Sequence, residues 1–289
     1  MRILVGLNKK SIPDYLDYTN SFIIGLRDFS INYMEYTLDE IKKMRDDYPS
    51  IEIFVSVNKN IFNSDLDNLE KQLIKLDKIG INGLLFYDLS ILALNGKHHF
   101  KFPLIWGQEH MTTNYNTCNY YYNKGCKYVY LSNEITKDEI SDIKKHSKMD
   151  LISFFFGYPE VSFSKRKLLT NYFLYHHEKK ENDIYTISSE KENYFIKENK
   201  HGTRILYGKI LNGIKPFDEL RNEVSYALLN EEFMDHNTFI NALKVFKDLL
   251  DKKINVDDAI SKIKELTDSI DTNFYYKRTI YKVKDENKN

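Results

Sequence analysis

The sequence has little cysteine, no excess charge of either sign and no long apolar run. Only Cys118 and Cys126 are cysteines among 289 residues, too few for a disulfide framework. Lysine plus arginine number 42, and so do aspartate plus glutamate, so bulk charge does not hold this chain on nucleic acid. A local basic patch is not excluded. No apolar run nears the roughly 18 residues of a membrane span.

The amino-terminal sequence MRILVGLNKK has no apolar segment of the signal-peptide type, so we expect a cytoplasmic protein that is not in the membrane. Hydrophobic residues make up 42% and charged residues 29%, which is typical of a globular protein with a real core. At about 100–200 residues per domain, the length fits two domains or one α/β barrel.

The first 160 residues alternate short apolar runs with amphipathic segments. Capping boxes at Thr37–Glu40 and Thr136–Glu139 predict two helix starts. Leucines at 3-4-3 spacing, followed by Gly80, predict a helix over 64–79. A shorter helix is expected over 12–18. The predicted strands are 2–7, 22–26, 51–57, 84–87, 103–106, 128–131 and 151–156.

The pattern changes after residue 180. Three antiparallel strands are predicted at 184–188, 194–197 and 203–207, and an eighth parallel strand at 224–229. The predicted fold class is therefore α/β, a (β/α)8 TIM-barrel-like single domain over 1–289. It carries a small β insertion at about 182–210, and C-terminal helices and tail at 238–289. An open doubly wound sheet is the alternative, without a glycine-rich phosphate fingerprint to support it.

The strand ends predict a polar pocket, because a parallel barrel works at the carboxyl ends of its strands. The residues at these ends are Asn8, Asp28, Asn58, Asp88, Gln108, Glu109, Glu134, Glu160 and Glu231. Polar loop residues without a binding role are the alternative. Spacing alone does not pair the carboxylates for acid–base chemistry, so no catalytic residue is assigned.

Metal and nucleophile motifs are missing from the sequence. It has neither a Cys-x-x-Cys pair nor a His-Glu-x-x-His motif, so no metal site is predicted. It also has no Gly-x-Ser-x-Gly elbow. Cys118 with His110 nearby would suit a thiolate nucleophile, but a buried structural cysteine is the simpler interpretation.

The segment Ser162–Tyr175, SFSKRKLLTNYFLY, sets the cations Lys165–Lys167 beside aromatic residues, and Phe274–Arg278 repeats the mixture. Cations contact phosphates and aromatic rings stack on unpaired bases, which is the chemistry of single-stranded RNA recognition. An ordinary amphipathic helix is the alternative. We expect Lys165–Tyr175 to face a cavity or a partner.

GYPEVSFSKRKLLTNYF, at 157–173, resembles the signature segment of the collagenase-like peptidase U32 family. That signature runs roughly Gly-Ala-x-Cys-x-Ser-x-Ser-Gly-x-Cys-x-Leu-Ser-Asn-Tyr. The matching residues are Gly157, Ser162, Ser164, Arg166, Leu168, Asn171 and Tyr172. TTNYNTCNYYYNKG at 112–125, the following YVYLSNEIT and IDTNFYYKRTIY near the end resemble the family's short Firmicutes branch. The resemblance covers nearly the whole chain.

The resemblance implies a barrel-like fold and, for this branch, tRNA hydroxylation that makes 5-hydroxyuridine at the wobble position, with prephenate as the expected oxygen source. Other relatives were labelled collagenases or proteases. Strand ends and resemblance together give the candidates for substrate or RNA contact. They are Asn58, Gln108, Glu109, Asn114, Glu160, Arg166, Asn171, Tyr172 and Glu231.

Several family members carry an iron–sulfur cluster on four cysteines, and this chain departs from that pattern. Glu160 and Lys167 stand where the first two cysteines would be, and they could form a salt bridge with each other. The later pair of cysteines is missing. We therefore predict no cofactor. The expected function is a cluster-less subunit that binds RNA or acts as scaffold, with tRNA and a cysteine-bearing U32 paralogue as partners. A U32-type peptidase and a non-catalytic structural partner protein are the alternatives.

Overall fold

Strands and helices alternate along the computed structural model, which describes residues 1–8, 11–108, 110–188, 192–267 and 270–277. The strands are β1 (Arg2–Gly6), β2 (Ser21–Leu26), β3 (Glu35–Tyr36), β4 (Glu52–Val57), β5 (Gly83–Phe86), β6 (Leu104–Trp106), β7 (Cys126–Tyr130), β8 (Asp150–Gly157), β9 (Glu160–Ser164), β10 (Ile184–Ser188), β11 (Asn193–Asn199), β12 (Gly202–Tyr207), β13 (Ile210–Asn212), β14 (Tyr226–Asn230) and β15 (Ile270–Asp271). The helices are α1 (Leu38–Asp47), α2 (Leu66–Ile79), α3 (Ser90–His98), α4 (Tyr115–Asn123), α5 (Lys137–His146), α6 (Leu168–Tyr175), α7 (Ile214–Glu219), α8 (His236–Leu250) and α9 (Val256–Leu266).

Eight parallel strands close into a barrel. Their order is β1-β2-β4-β5-β6-β7-β8-β14, and β14 pairs with both β8 and β1. Leu228 of β14 lies opposite Leu4 on one side and Phe154 on the other. The predicted (β/α)8 barrel is confirmed, and the doubly wound sheet is excluded because an open sheet has two unpaired edges.

The predicted helix boundaries follow local hydrogen bonds. Thr37 and Thr136 each cap a helix through a complete capping box. Gly80 ends α2 with φ +78°, a conformation that costs glycine little. The helix expected over 12–18 is only a 3-10 turn at Pro13–Tyr15, because the chain must already enter β2 at Ser21.

A second, antiparallel sheet has the order β10-β11-β12-β9. β10, β11 and β12 confirm the predicted insertion strands. β9 comes from the signature segment and was not predicted, because its residues lack a buried alternating face. We call β9–β12 the small sheet; α6 connects β9 to β10 and contacts β12.

The barrel interior is closed at the amino-terminal end of its strands. Phe54, Tyr128 and Tyr226 come from three different strands and meet edge-to-face, with Phe54 and Tyr226 centroids 5.0 Å apart. Below them, Glu52 pairs with Arg2 and accepts a 3.1 Å hydrogen bond from the Tyr226 hydroxyl. Open space for a ligand is therefore expected at the opposite, carboxyl end. None of the helices in the described ranges is long and apolar enough to cross a membrane.

Candidate functional site

Two cavities lie at the carboxyl end of the barrel, beside the small sheet. The larger, of about 720 Å³, we call the basic cleft. Its charged walls include Arg27, Glu35, Lys167, Lys180, Lys197, Glu198, Lys200, Arg204 and Glu232. The smaller, of about 300 Å³, we call the amide pocket. Its walls are Ile31, Asn58, Asn60, Tyr87, Gly107, Gln108, His110, Glu160, Phe163 and Lys165.

A buried charge cluster separates these spaces. The guanidinium of Arg204, only 4% exposed, donates to Glu160 through Nε at 2.6 Å. Its Nη1 donates to both carboxylate oxygens of Glu232 at 2.8 Å, and Lys197 donates to Glu232 at 2.9 Å. Burial alone would raise the pKa of Glu232, but Arg204 and Lys197 hold it below its ordinary value. Two cations and two carboxylates thus balance each other.

The partner of Glu160 is Arg204 and not Lys167, which corrects the salt bridge considered from sequence. β9 and β12 are antiparallel neighbours, with Leu206 opposite Glu160 and Arg204 opposite Phe163, so Arg204 of β12 lies diagonally across from Glu160. Lys167 lies exposed beyond the end of β9 and lines the basic cleft. Charged residues inside a predicted strand, such as Arg204 and Lys197, were the available signal for this cluster.

Glu231, a predicted pocket residue, lies on the outer side of the barrel. Its carboxylate accepts a hydrogen bond from Tyr15 and contacts Nδ1 of His236, at the start of α8, at 2.6 Å. Successive side chains along a strand point to opposite faces, so its neighbours Asn230 and Glu232 line the basic cleft instead. At this strand end, the residues that face the cleft are therefore the two neighbours of Glu231.

Asn58 holds the loop that follows β2. Its Oδ1 accepts from the Ser30 hydroxyl and the Ile31 amide, both at 3.0 Å, and its Nδ2 donates to Asn32 at 2.7 Å. These three bonds are made by a buried amide. Asn58 therefore shapes the wall of the amide pocket and keeps only limited capacity for a ligand.

The structure brings three predicted residues together and leaves others apart. Asn58, Gln108 and Glu160 all line the amide pocket. Asn114 lies elsewhere and caps α4, where its Oδ1 accepts the Thr117 amide at 2.9 Å. Glu109 is outside the described residues.

Arg166, Asn171 and Tyr172 are exposed on and just before α6. Together with the neighbouring Lys165 and Tyr175, they form a surface that we call the α6 face.

Glu198 of β11 fixes α6 from below and was not predicted. Its carboxylate, 2% exposed, accepts from the Thr170 amide at 3.1 Å, from the Thr170 hydroxyl, and from Lys180 at 3.0 Å. Burial would raise the pKa of Glu198, but the hydrogen bonds from Thr170 and Lys180 lower it to about 2. The α6 face is thus held by a buried carboxylate.

The two cysteines do not suit nucleophilic chemistry or a cluster. Both are buried, and burial raises the pKa of each thiol to about 12. Cys126 begins β7, at the end of the barrel opposite the cavities, and Cys118 lies in α4. Cluster iron is held by thiolates, which Glu160 and Lys167 cannot supply. In the described part of the chain, no three His, Cys, Asp or Glu residues are placed to hold a metal.

Comparison with known proteins gives a family match over most of the chain. The sequence model of peptidase family U32 matches residues 18–285. The tRNA hydroxylation protein P2 of Bacillus subtilis (strain 168) is 25% identical, over 90% of this chain and 92% of that protein.

Among solved structures, the U32 peptidase Mk0906 is 8% identical with a TM-score of 0.49, covering 80% of this chain and 92% of that chain. The tryptophan synthase A-subunit of Pyrococcus furiosus is 10% identical with a TM-score of 0.44, covering 92% and 97%.

Replacing Glu198 should change how stability depends on pH. The folded-state pKa of about 2 lies below the ordinary value of 4.5, so the carboxylate stabilises the fold fully above about pH 4.5. This contribution is lost as pH falls towards 2. Glu198→Gln should therefore lower the free energy of unfolding at pH 7 by about 1–3 kcal/mol, and lower it less at pH 3.

Urea unfolding at pH 7, 5 and 3 measures this, with Glu265→Gln on the exposed surface of α9 as the matched control. Equal losses for Glu198→Gln at every pH would contradict the assignment of Glu198 as a buried anionic anchor.

Proposed function

This chain belongs to peptidase family U32, and from this membership we propose that it acts in the hydroxylation of tRNA, at the wobble uridine. The observation that carries the proposal is the similarity to the tRNA hydroxylation protein of B. subtilis, which extends over nearly all of both chains. The proposed role is that of a cluster-less subunit. It binds RNA, or acts as scaffold, beside a cysteine-bearing U32 paralogue.

The α6 face supports RNA contact. Tyr172 is 56% exposed and Tyr175 81% exposed, so both rings are open to stacking on unpaired bases. Arg166 and Lys165 are exposed in the turn that leads into the helix. Leu169 and Phe173 form the covered side of α6, with Phe173 packed 5.0 Å from the Tyr185 ring, whereas Tyr172 and Tyr175 are on the exposed side.

The side chains at the signature positions support separate roles for this chain and the paralogue. One carboxylate oxygen of Glu160 pairs with Arg204, and Lys167 carries a cationic ammonium rather than a thiolate. A redox group held by thiolates must then come from the paralogue in the proposed complex. This chain would contribute surface and pocket.

A peptidase is the second candidate, favoured by the family's description. The raised pKa of Cys118 counts against a thiolate nucleophile. His110 lies 3.7 Å from Glu134 at the exposed rim, in a pair without a cysteine. Cleavage of casein or gelatin by the purified protein, free of other proteases, would favour this candidate over the tRNA role.

Deleting the encoding gene should remove 5-hydroxyuridine from the tRNA of its host, and complementation should restore it. Nucleoside mass spectrometry of bulk tRNA measures this, and unmodified uridine should rise in proportion. A deletion strain that keeps the full level of 5-hydroxyuridine, with no second copy of the gene, would contradict the proposed function.

Arg166→Glu should weaken tRNA binding by about tenfold, the equivalent of about 1.4 kcal/mol for one charge-assisted contact. Loss of a phosphate contact should also make the salt dependence shallower, by about 0.7 in the slope of log K against log salt per contact on single strands. Filter binding against salt, with and without the paralogue, measures both quantities.

Lys264→Glu, on the exposed surface of α9, changes charge equally and serves as the control. The melting temperatures of both variants should match that of the parent protein. A large drop in melting temperature for Arg166→Glu alone would make Arg166 a structural residue.

The purified protein should carry no iron–sulfur cluster after anaerobic reconstitution with iron and sulfide. The reason is chemical, since the chain's only thiols, Cys118 and Cys126, are buried and lie apart from the signature positions. Analysis of iron and acid-labile sulfide measures this, together with the visible absorbance that an iron–sulfur cluster would give. Stoichiometric iron and sulfide would overturn the cluster-less assignment.

A further inference from the structure

The amide pocket offers polar groups that are not engaged by the protein. Over the described ranges, the side-chain amide of Gln108 has no hydrogen-bond partner, although the residue lines the pocket and is only partly exposed. Asn60 uses its Oδ1 to accept the Tyr87 hydroxyl at 2.6 Å, and this bond leaves its Nδ2 as a donor. The pocket thus has two amides with open hydrogen-bonding capacity.

Glu160 adds an acceptor to the same pocket wall. Its Oε2 accepts Nε of Arg204 at 2.6 Å, whereas Oε1 has no bond to the described part of the protein. The ion pair fixes the orientation of the carboxylate, so Oε1 is a held acceptor and not a mobile one. A ligand with a single N–H would satisfy it.

An aromatic ring and a cation complete the pocket. Phe163 of β9 lines it and provides a ring face. Lys165, at the rim, lies with Nζ 3.7 Å from the centroid of the Phe62 ring, a cation–π contact that holds the ammonium at the entrance. A base inside the pocket would leave its phosphate near this ammonium.

We propose that the amide pocket binds a uracil base that has left the stack of an RNA strand. The proposal rests on the proposed function, because tRNA is the source of that base. Uracil presents one ring N–H between two carbonyl oxygens, which complements one carboxylate oxygen accompanied by amide donors. Glu160 would accept the N–H, while Gln108 and Asn60 would donate to the carbonyls.

The same groups discriminate against other bases. Cytosine presents a ring nitrogen acceptor where uracil has its N–H, so it would face Glu160 with two acceptors and no proton between them. Guanine presents two adjacent N–H donors that favour a bidentate carboxylate, and Arg204 already occupies one oxygen of Glu160. Recognition, not reaction, is the role assigned to this pocket.

The basic cleft is less suited to a base because the protein already pairs most of its charges. Lys200 contacts Asp28 at 2.5 Å and Glu35 at 3.0 Å, and His201 contacts Glu35 at 2.9 Å. Burial would raise the pKa of Glu35, but these partners lower it to about 2. Side chains that are paired in this way have little hydrogen-bonding capacity left for the edge of a neutral base.

Binding of uridine 5′-monophosphate, cytidine 5′-monophosphate and guanosine 5′-monophosphate to the full chain tests the proposal. In calorimetric or NMR titrations, uridine monophosphate should bind about fivefold more tightly than the other two, the equivalent of one neutral hydrogen bond. Gln108→Ala should weaken the binding of uridine monophosphate by about fivefold. Gln72→Ala, at the chain's other glutamine, on the outer surface of α2, should change nothing.

Equal binding of the three nucleotides, or an unchanged affinity in Gln108→Ala with the fold intact by circular dichroism, would overturn the uracil assignment. A change in the chemical shifts of the Phe163 ring on adding uridine monophosphate would support it. The outcome is separate from that of the proposed function, because nucleotide binding by the purified chain does not require modified tRNA. Preserved 5-hydroxyuridine in a deletion strain would end the tRNA role without deciding what the pocket binds.

Discussion

The ion pairs of Arg204 are the contact on which the arrangement of the site depends. Its guanidinium is almost wholly removed from water, and a buried charge of this kind persists only with partners of opposite sign. Glu160 and Glu232 supply them. Because Glu232 follows barrel strand β14 while Arg204 and Glu160 belong to the small sheet, the sheet cannot leave the barrel mouth without separating buried charges. The walls that the small sheet contributes to both cavities are held in place by this cluster.

The fold was largely readable from sequence because its signals are local. A capping box such as Thr37–Glu40 spans one helical turn, and the leucines of α2 repeat along one face, so each element carries its own evidence. The barrel then follows from the order of the elements. β9 was not predicted because it is half-exposed and is defined only by its pairing with β12.

The candidate site was only partly predictable, since its important contacts are distant in sequence. Arg204 meets Glu160 across 44 positions, and no periodic pattern relates the two. At the end of β14, the sequence identified the right location but not the side of the strand. Successive side chains of a strand point to opposite faces. Glu231 therefore contacts Tyr15 outside the barrel, while Glu232 contacts Arg204 at the mouth.

Glu160 shows how one substitution relative to the family signature can serve both the architecture and the proposed binding role. A thiolate there would bring a cluster ligand, whereas the carboxylate brings two separate oxygens with geometrically distinct uses. One oxygen neutralises Arg204, and the other remains at the wall of the amide pocket. The same ion pair that holds the small sheet on the barrel therefore also orients the acceptor proposed to face a base. In the proposed complex, this chain would therefore supply a rigid polar site whose chemistry is recognition.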